Sequence, residues 1–291
     1  MRGKFARGWM LMRESWNVLR ADRGLLVFPV LSFVAILLVL ATFVVPLLAS
    51  PGLARQVFGQ GDGQHEGWAG VVYYGGLFLF YLATYFVIVF FNVALVSCAL
   101  LRFRGGEPKV SDGLRVAASR LPQIAAWALM AASVGLVLRA IEDKVSWVGK
   151  LVVSLIGVAW SVVTYFVVPV LAVEQLGPMD AIRRSADLLK KTWGESLAGQ
   201  FSLGLVNLVL FLPGLLLAGL GGVLAGSNSN LLVGLPFIVL SIVYFAGLFI
   251  VMSTVRQVFL AGTYLFAATG QIAPGFSEES LKLAFKPKRK R

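Results

Sequence analysis

Six stretches of 20 or more mostly apolar residues divide this chain, and none of them carries Asp, Glu or Lys. They run at 25–49, 68–101, 121–140, 151–173, 197–225 and 231–252, with one arginine, Arg139, in the last turn of the third. About 20 apolar residues at ~1.5 Å each match the hydrocarbon thickness of a bilayer. A water-soluble core has no room for six such segments, so the pattern predicts six membrane-spanning helices. The second run is long enough to emerge from the bilayer, and the sixth continues through Arg256 to about residue 268. Composition agrees: 58% of the 291 residues are hydrophobic and 14% charged, against roughly half and a quarter in soluble domains.

The net charge of +12 raises the question of a nucleic-acid partner, and the placement of the charges answers it. Of the 26 Lys and Arg, 22 lie in the N-terminal segment, the second and fourth connecting loops and the C-terminal tail; the other three loops hold 4. Such asymmetry orients a polytopic membrane protein with its basic loops in the cytoplasm. Both termini are expected there, and the basic character reads as topology with no nucleic-acid role. The N-terminal 24 residues are too polar, and the following apolar run too long, for a cleaved signal peptide. The expected location is a bacterial cytoplasmic membrane.

The basic stretches also repeat. Residues 12–25 (MRESWNVLRADRGL) align with 182–195 (IRRSADLLKKTWGE): Arg13 falls on Arg183, Ser15 on Ser185, Leu19 on Leu189, Arg20 on Lys190 and Gly24 on Gly194. A weaker copy, SDGLRVAASRL, occupies 111–121. Ile182, Ala186, Leu189 and Trp193 form one helical stripe, and Trp9, Met12, Trp16 and Leu19 another, with the basic residues facing elsewhere. Helices of that kind lie in the membrane interface, where each Lys or Arg near anionic lipid contributes ~1 kcal/mol. Arg13, Arg20, Arg183, Arg184, Lys190 and Lys191 are therefore the candidate lipid- or anion-binding residues. The plainer reading of the same residues is an interfacial anchor.

Little else in the chain is reactive. One cysteine, Cys98, and one histidine, His65, exclude an internal disulfide and a Cys/His zinc site. No nucleotide loop, hydrolase elbow or zincin helix occurs, so no enzyme, no cofactor and no metal are expected. A solute path would draw on Asn92 and Asn207, the polar residues at membrane depth, and on Pro213-Gly214, expected to kink or break the fifth helix. Pro169 is expected to bend the fourth more mildly. Ala218, Gly222 and Gly226 give the small-xxx-small spacing of closely packed helices.

The run GWMLMRESWNVLRADRGLLVFPVLSF (8–33) resembles the opening of an uncharacterised family of bacterial and archaeal six-span proteins, on Trp9, Leu11, Ser15, Trp16, Val18, Leu19, Asp22, Leu25, Phe28 and Pro29. AIRRSADLLKKTWGE (181–195) is more loosely similar to a loop in the membrane domain found with some glycerophosphodiester phosphodiesterases. Neither resemblance implies an activity or site residues. The expectation is an all-α integral membrane protein of six transmembrane helices arranged as three hairpins, with interfacial amphipathic helices before spans 1, 3 and 5. Its parts are an N-terminal helix (1–24), the six-span domain (25–268) and a basic tail (269–291). Two functions stand open: a non-enzymatic module engaging anionic lipid headgroups, a membrane-protein partner or a second copy of itself, as a scaffold or in envelope lipid handling; or a channel or carrier for a small neutral or anionic solute through the broken fifth helix.

Overall fold

The computed structural model describes residues 13–50, 52, 68–227 and 231–276, without the side chains of 68, 69, 191–202, 227 and 231. These residues are almost entirely helical and contain no strand. A helix over 13–21 (α1) leads through a short 3-10 turn, Arg23–Leu26, into α2 (Val27–Ala49). Then come α3 (Trp68–Phe103), α4 (Val110–Ser119), α5 (Leu121–Glu142), α6 (Trp147–Val163), α7 (Val167–Val173), α8 (Pro178–Ser227) and α9 (Leu231–Thr269). Six segments are long and apolar enough to cross a membrane, the fourth of them made jointly by α6 and α7. Their surfaces fit lipid: Leu38, Leu48, Leu155 and Leu216 are each more than half exposed. In water such contiguous apolar surface would be a liability, whereas acyl chains solvate it at no cost.

Local chemistry sets the element ends. The Asp22 carboxylate accepts from Gly24 N (3.1 Å), capping the 3-10 turn. Asp112 accepts from Lys109 N (2.9 Å) at the start of α4. Pro122 and Pro178 sit in first turns, where a missing N–H costs nothing.

The chain divides into two compact units. In the first (Met1–Pro29, Cys98–Pro108 and Leu188–Arg291), the span parts of α8 and α9 pack antiparallel. Phe211 meets Phe245 (ring centroids 4.7 Å apart), the Tyr244 hydroxyl donates to Leu210 O (2.6 Å), and Gly221 lies against Ile238. A Cβ on Gly234 would fall on the Gly221 carbonyl and 2.6 Å from Ala225 Cβ, so this approach requires glycine. In the second unit (Val30–Ser97 and Lys109–Asp187), α2 touches α3 through Phe43 and Phe80, and α5 packs on α6 with Trp127 and Trp160 stacked 5.9 Å apart. The C-terminal half of α3 is the most enclosed part of any described span: Val93, Ala94, Val96 and Ala99 are fully buried. Cys98 is buried beside them.

Two expectations need correcting. The basic segment before span five is not a separate helix, because α8 runs unbroken for 50 residues, ~75 Å. Between Lys191 and Leu203 the sequence has glycines but no proline, and a helical glycine costs only ~1 kcal/mol. Nor does Pro213 break α8, which stays helical through both Pro213 and Gly214. The break falls in the fourth span instead.

Candidate functional site

Between α6 and α7 the helix opens over Thr164–Phe166. Pro169 accounts for this. Continued as α-helix, its ring would press on the Tyr165 carbonyl four residues back. Where α7 restarts at Val167, Pro169 lies in the first turn and needs no N–H partner.

Every backbone N–H of the opening is used. Thr164 N donates to Trp160 O (3.0 Å), Tyr165 N to Val162 O (3.2 Å) and Val167 N to Thr164 O (3.0 Å). The remaining one, Phe166 N, donates to the Ser185 hydroxyl (2.9 Å), which itself donates to Val163 O (2.6 Å). Ser185 is fully buried. One hydroxyl thus closes the gap with a donor and an acceptor at once, as backbone shut off from water must be closed.

Ser185 stands in the basic stretch picked out from the sequence. On one side of it the Arg184 Nε donates to both Glu174 oxygens (3.0 and 2.8 Å), tying the end of α7 to the start of α8 across a turn in which Gln175 has φ +53°. Arg184 is therefore committed inside the protein. Arg183 pairs with Asp180 (3.3 Å) with both side chains largely exposed, a contact worth little in water. Lys190 is exposed; the Lys191 side chain lies outside the described residues. In α1, Arg13 and Arg20 are exposed, and the Arg20 guanidinium sits 5.5 Å over the Trp16 ring.

The aligned segments share one exposure register. From Arg13 to Arg20 the order is exposed, half-buried, buried, half-buried, exposed, buried, buried, exposed; Arg183 to Lys190 reads identically. Ser111 to Ala118 differs only at Val116, which is half-buried. The third position is a small buried residue each time: Ser15, Gly113 and Ser185. The apolar stripe therefore packs against protein, and the exposed positions carry Arg13, Arg20, Arg115, Arg183 and Lys190.

The candidates for a solute path sit apart from this. Asn92 is half-buried on α3 in one unit, and Asn207, also half-buried, precedes Pro213 and Gly214 on α8 in the other. At Gly214 an added Cβ would lie 2.5 Å from the Phe245 ring and 2.9 Å from that of Tyr244. Pro213-Gly214 is thus a seat for two aromatic rings, and the Tyr244 hydroxyl reaches a carbonyl just upstream of the proline. Sequence reasoning missed Ser185 as a structural element; its alignment with Ser15 was the available signal. Among the described residues no group of three or more His, Cys, Asp or Glu could hold a metal ion.

Comparison with curated proteins and with solved structures returns no match. The family match covers residues 71–275, leaving out the 8–33 run, and gives no support to the looser phosphodiesterase-associated similarity. Over those residues, well above half its length, the chain matches a family of unknown function, DUF6159, and belongs to it.

Proposed function

We propose that this protein is a non-enzymatic membrane module whose repeated basic segments engage anionic lipid headgroups, as a scaffold or in envelope lipid handling. It lies in the bacterial cytoplasmic membrane as three helical hairpins with both termini inside. The observation that carries this reading is the common exposure register. Each segment buries its apolar side and a small residue, and turns cations outward on the side that the Lys/Arg asymmetry assigns to the cytoplasm. Cations held this way, at the end of a span, meet a negatively charged leaflet surface at ~1 kcal/mol each. Arg184 is set apart from the binding set by its pairing with Glu174.

The carrier reading draws on the opened helix at Thr164–Phe166, since substrate sites in transporters use such breaks. Here Ser185 and neighbouring carbonyls occupy the backbone N–H groups of that opening, which favours the module.

The test is native mass spectrometry of the full-length protein released gently from its membrane, wild type against Arg13→Gln/Arg20→Gln/Arg183→Gln/Lys190→Gln. Anionic lipid retained by wild type and lost in the variant is the expected result. Equal retention in both, or a bound small solute indifferent to these charges, would overturn the proposal.

A further inference from the structure

The far end of α5 holds a second polar site, independent of the basic segments. Tyr81 and Tyr85 from α3, Arg139 and Glu142 from α5, Asp143 in the turn beyond and Lys150 from α6 line a cavity of about 530 Å3, within the range of ligand pockets. Arg139 lies 18 residues along α5 from Leu121, ~27 Å, close to one full hydrocarbon thickness. Its Nη1 donates to the Tyr81 oxygen (3.0 Å), which puts Tyr81 at the same depth. The cavity therefore opens where headgroups meet acyl chains.

Its charges form no direct ion pair with one another, although Asp143 acts on Arg139 through space. Among the described residues the ion pairs are Arg183–Asp180 and Arg184–Glu174, so two cations and two carboxylates share this cavity without pairing. Tyr81 accepts from Arg139 and keeps its own proton to donate. The remaining guanidinium N–H groups and the Lys150 ammonium make one cationic lobe, and Glu142 with Asp143 an anionic one. A purely anionic ligand is opposed by the carboxylates, and a purely cationic one by Arg139 and Lys150. A molecule carrying a phosphate and a primary ammonium a few bonds apart satisfies both lobes.

We propose that this cavity binds a phosphate–ammonium zwitterion of the phosphoethanolamine type, with the phosphate on Arg139, Lys150 and Tyr81 and the ammonium on Glu142 and Asp143. At this depth a phospholipid headgroup supplies that chemistry, and a free soluble phosphoethanolamine carries it too.

The experiment places the full-length protein in nanodiscs containing equal phosphatidylethanolamine, phosphatidylglycerol and phosphatidylcholine, and measures lipids retained on gentle release by native mass spectrometry. Wild type should retain phosphatidylethanolamine preferentially. Lys150→Gln, at an exposed position that makes no ion pair, should lower that preference by roughly fivefold, the upper end for one exposed charge contact. Glu142→Gln/Asp143→Asn should shift retention toward phosphatidylglycerol. Soluble phosphoethanolamine is then titrated in: lipid retained at millimolar competitor assigns the site to the bilayer, and displacement assigns it to the soluble zwitterion. Equal retention of the three lipids by wild type, or a preference untouched by both the Lys150 and the Glu142/Asp143 variants, overturns the proposal.

Discussion

Replacing Ser185 by alanine tests the central structural claim, and Ser15→Ala supplies its control. Both serines are fully buried and hold the same place in the shared register. They differ in partners: Ser185 bridges Phe166 N and Val163 O, whereas the Ser15 hydroxyl has no hydrogen-bond partner among the described residues. Removing the Ser185 hydroxyl orphans two backbone groups at ~1–3 kcal/mol each, a ceiling of about 6 kcal/mol. Measured hydrogen bonds within membranes average only about 0.6 kcal/mol, because the relaxed chain finds other partners. The Thr164–Phe166 turn can relax only in part, since Pro169 forbids simple re-closure of the helix. The expected loss for Ser185→Ala is therefore about 2 kcal/mol. Ser15→Ala deletes an unpaired buried hydroxyl and should fall within about 0.5 kcal/mol of wild type, or be mildly stabilising. Reversible unfolding in mixed micelles, titrated with a denaturing detergent, measures both. Equal losses for the two variants would refute the bridging role and reduce Ser185 to a small residue that fits.

Other consequences are open to the same assay. Gly234→Ala should be the most damaging glycine change in the α8–α9 contact, by about 1–3 kcal/mol, because its Cβ would meet the backbone of Gly221 and cannot be accommodated by a rotamer change. Gly214→Ala should cost a similar amount but be largely rescued by Phe245→Leu, since there the obstacle is a side-chain ring. Arg184→Gln should destabilise by about 1 kcal/mol through loss of the two-pronged Glu174 contact, with lipid retention unchanged; a lipid loss without a stability loss would move Arg184 back into the binding set. Pro213→Ala should be neutral or stabilising, since α8 is already continuous there.

The six apolar helices were legible because lipid imposes one strong requirement, an uncharged run of sufficient length, and residues 25–49 and 231–252 declare it without tertiary information. The amphipathic stripe through Ile182, Ala186 and Leu189 was legible for a similar reason, although the partner of its apolar side was not. Leu189 is buried against protein, and a helical wheel has no means of separating a protein neighbour from a lipid one. The extent of α8 was obscured by its abrupt change of polarity at about residue 197, which marks where the surroundings change rather than where the helix ends. The charge cluster around Arg139 could be seen along the chain, but its cavity could not, because two of its eight lining residues, Tyr81 and Tyr85, come from a helix more than 50 residues before Arg139.

The two misjudged prolines share a cause. Pro169 and Pro213 each remove one N–H and each crowd a carbonyl four residues back. What differs is the surrounding structure. Beside Pro213, Gly214 leaves room for the rings of Tyr244 and Phe245, and the Tyr244 hydroxyl donates to Leu210 O, so the helix is supported from outside and stays straight enough to remain helical. Upstream of Pro169 a residue with both a donor and an acceptor is available at the right place, the hydroxyl of Ser185, and an opened turn becomes as well satisfied as a closed one. At Pro213 the Tyr244 phenol props one carbonyl, whereas the Ser185 hydroxyl, set between two ends of backbone, accepts from one and donates to the other and so holds a gap open. At these two prolines the outcome thus turns on a hydroxyl from another part of the chain, 16 residues after Pro169 and 31 after Pro213.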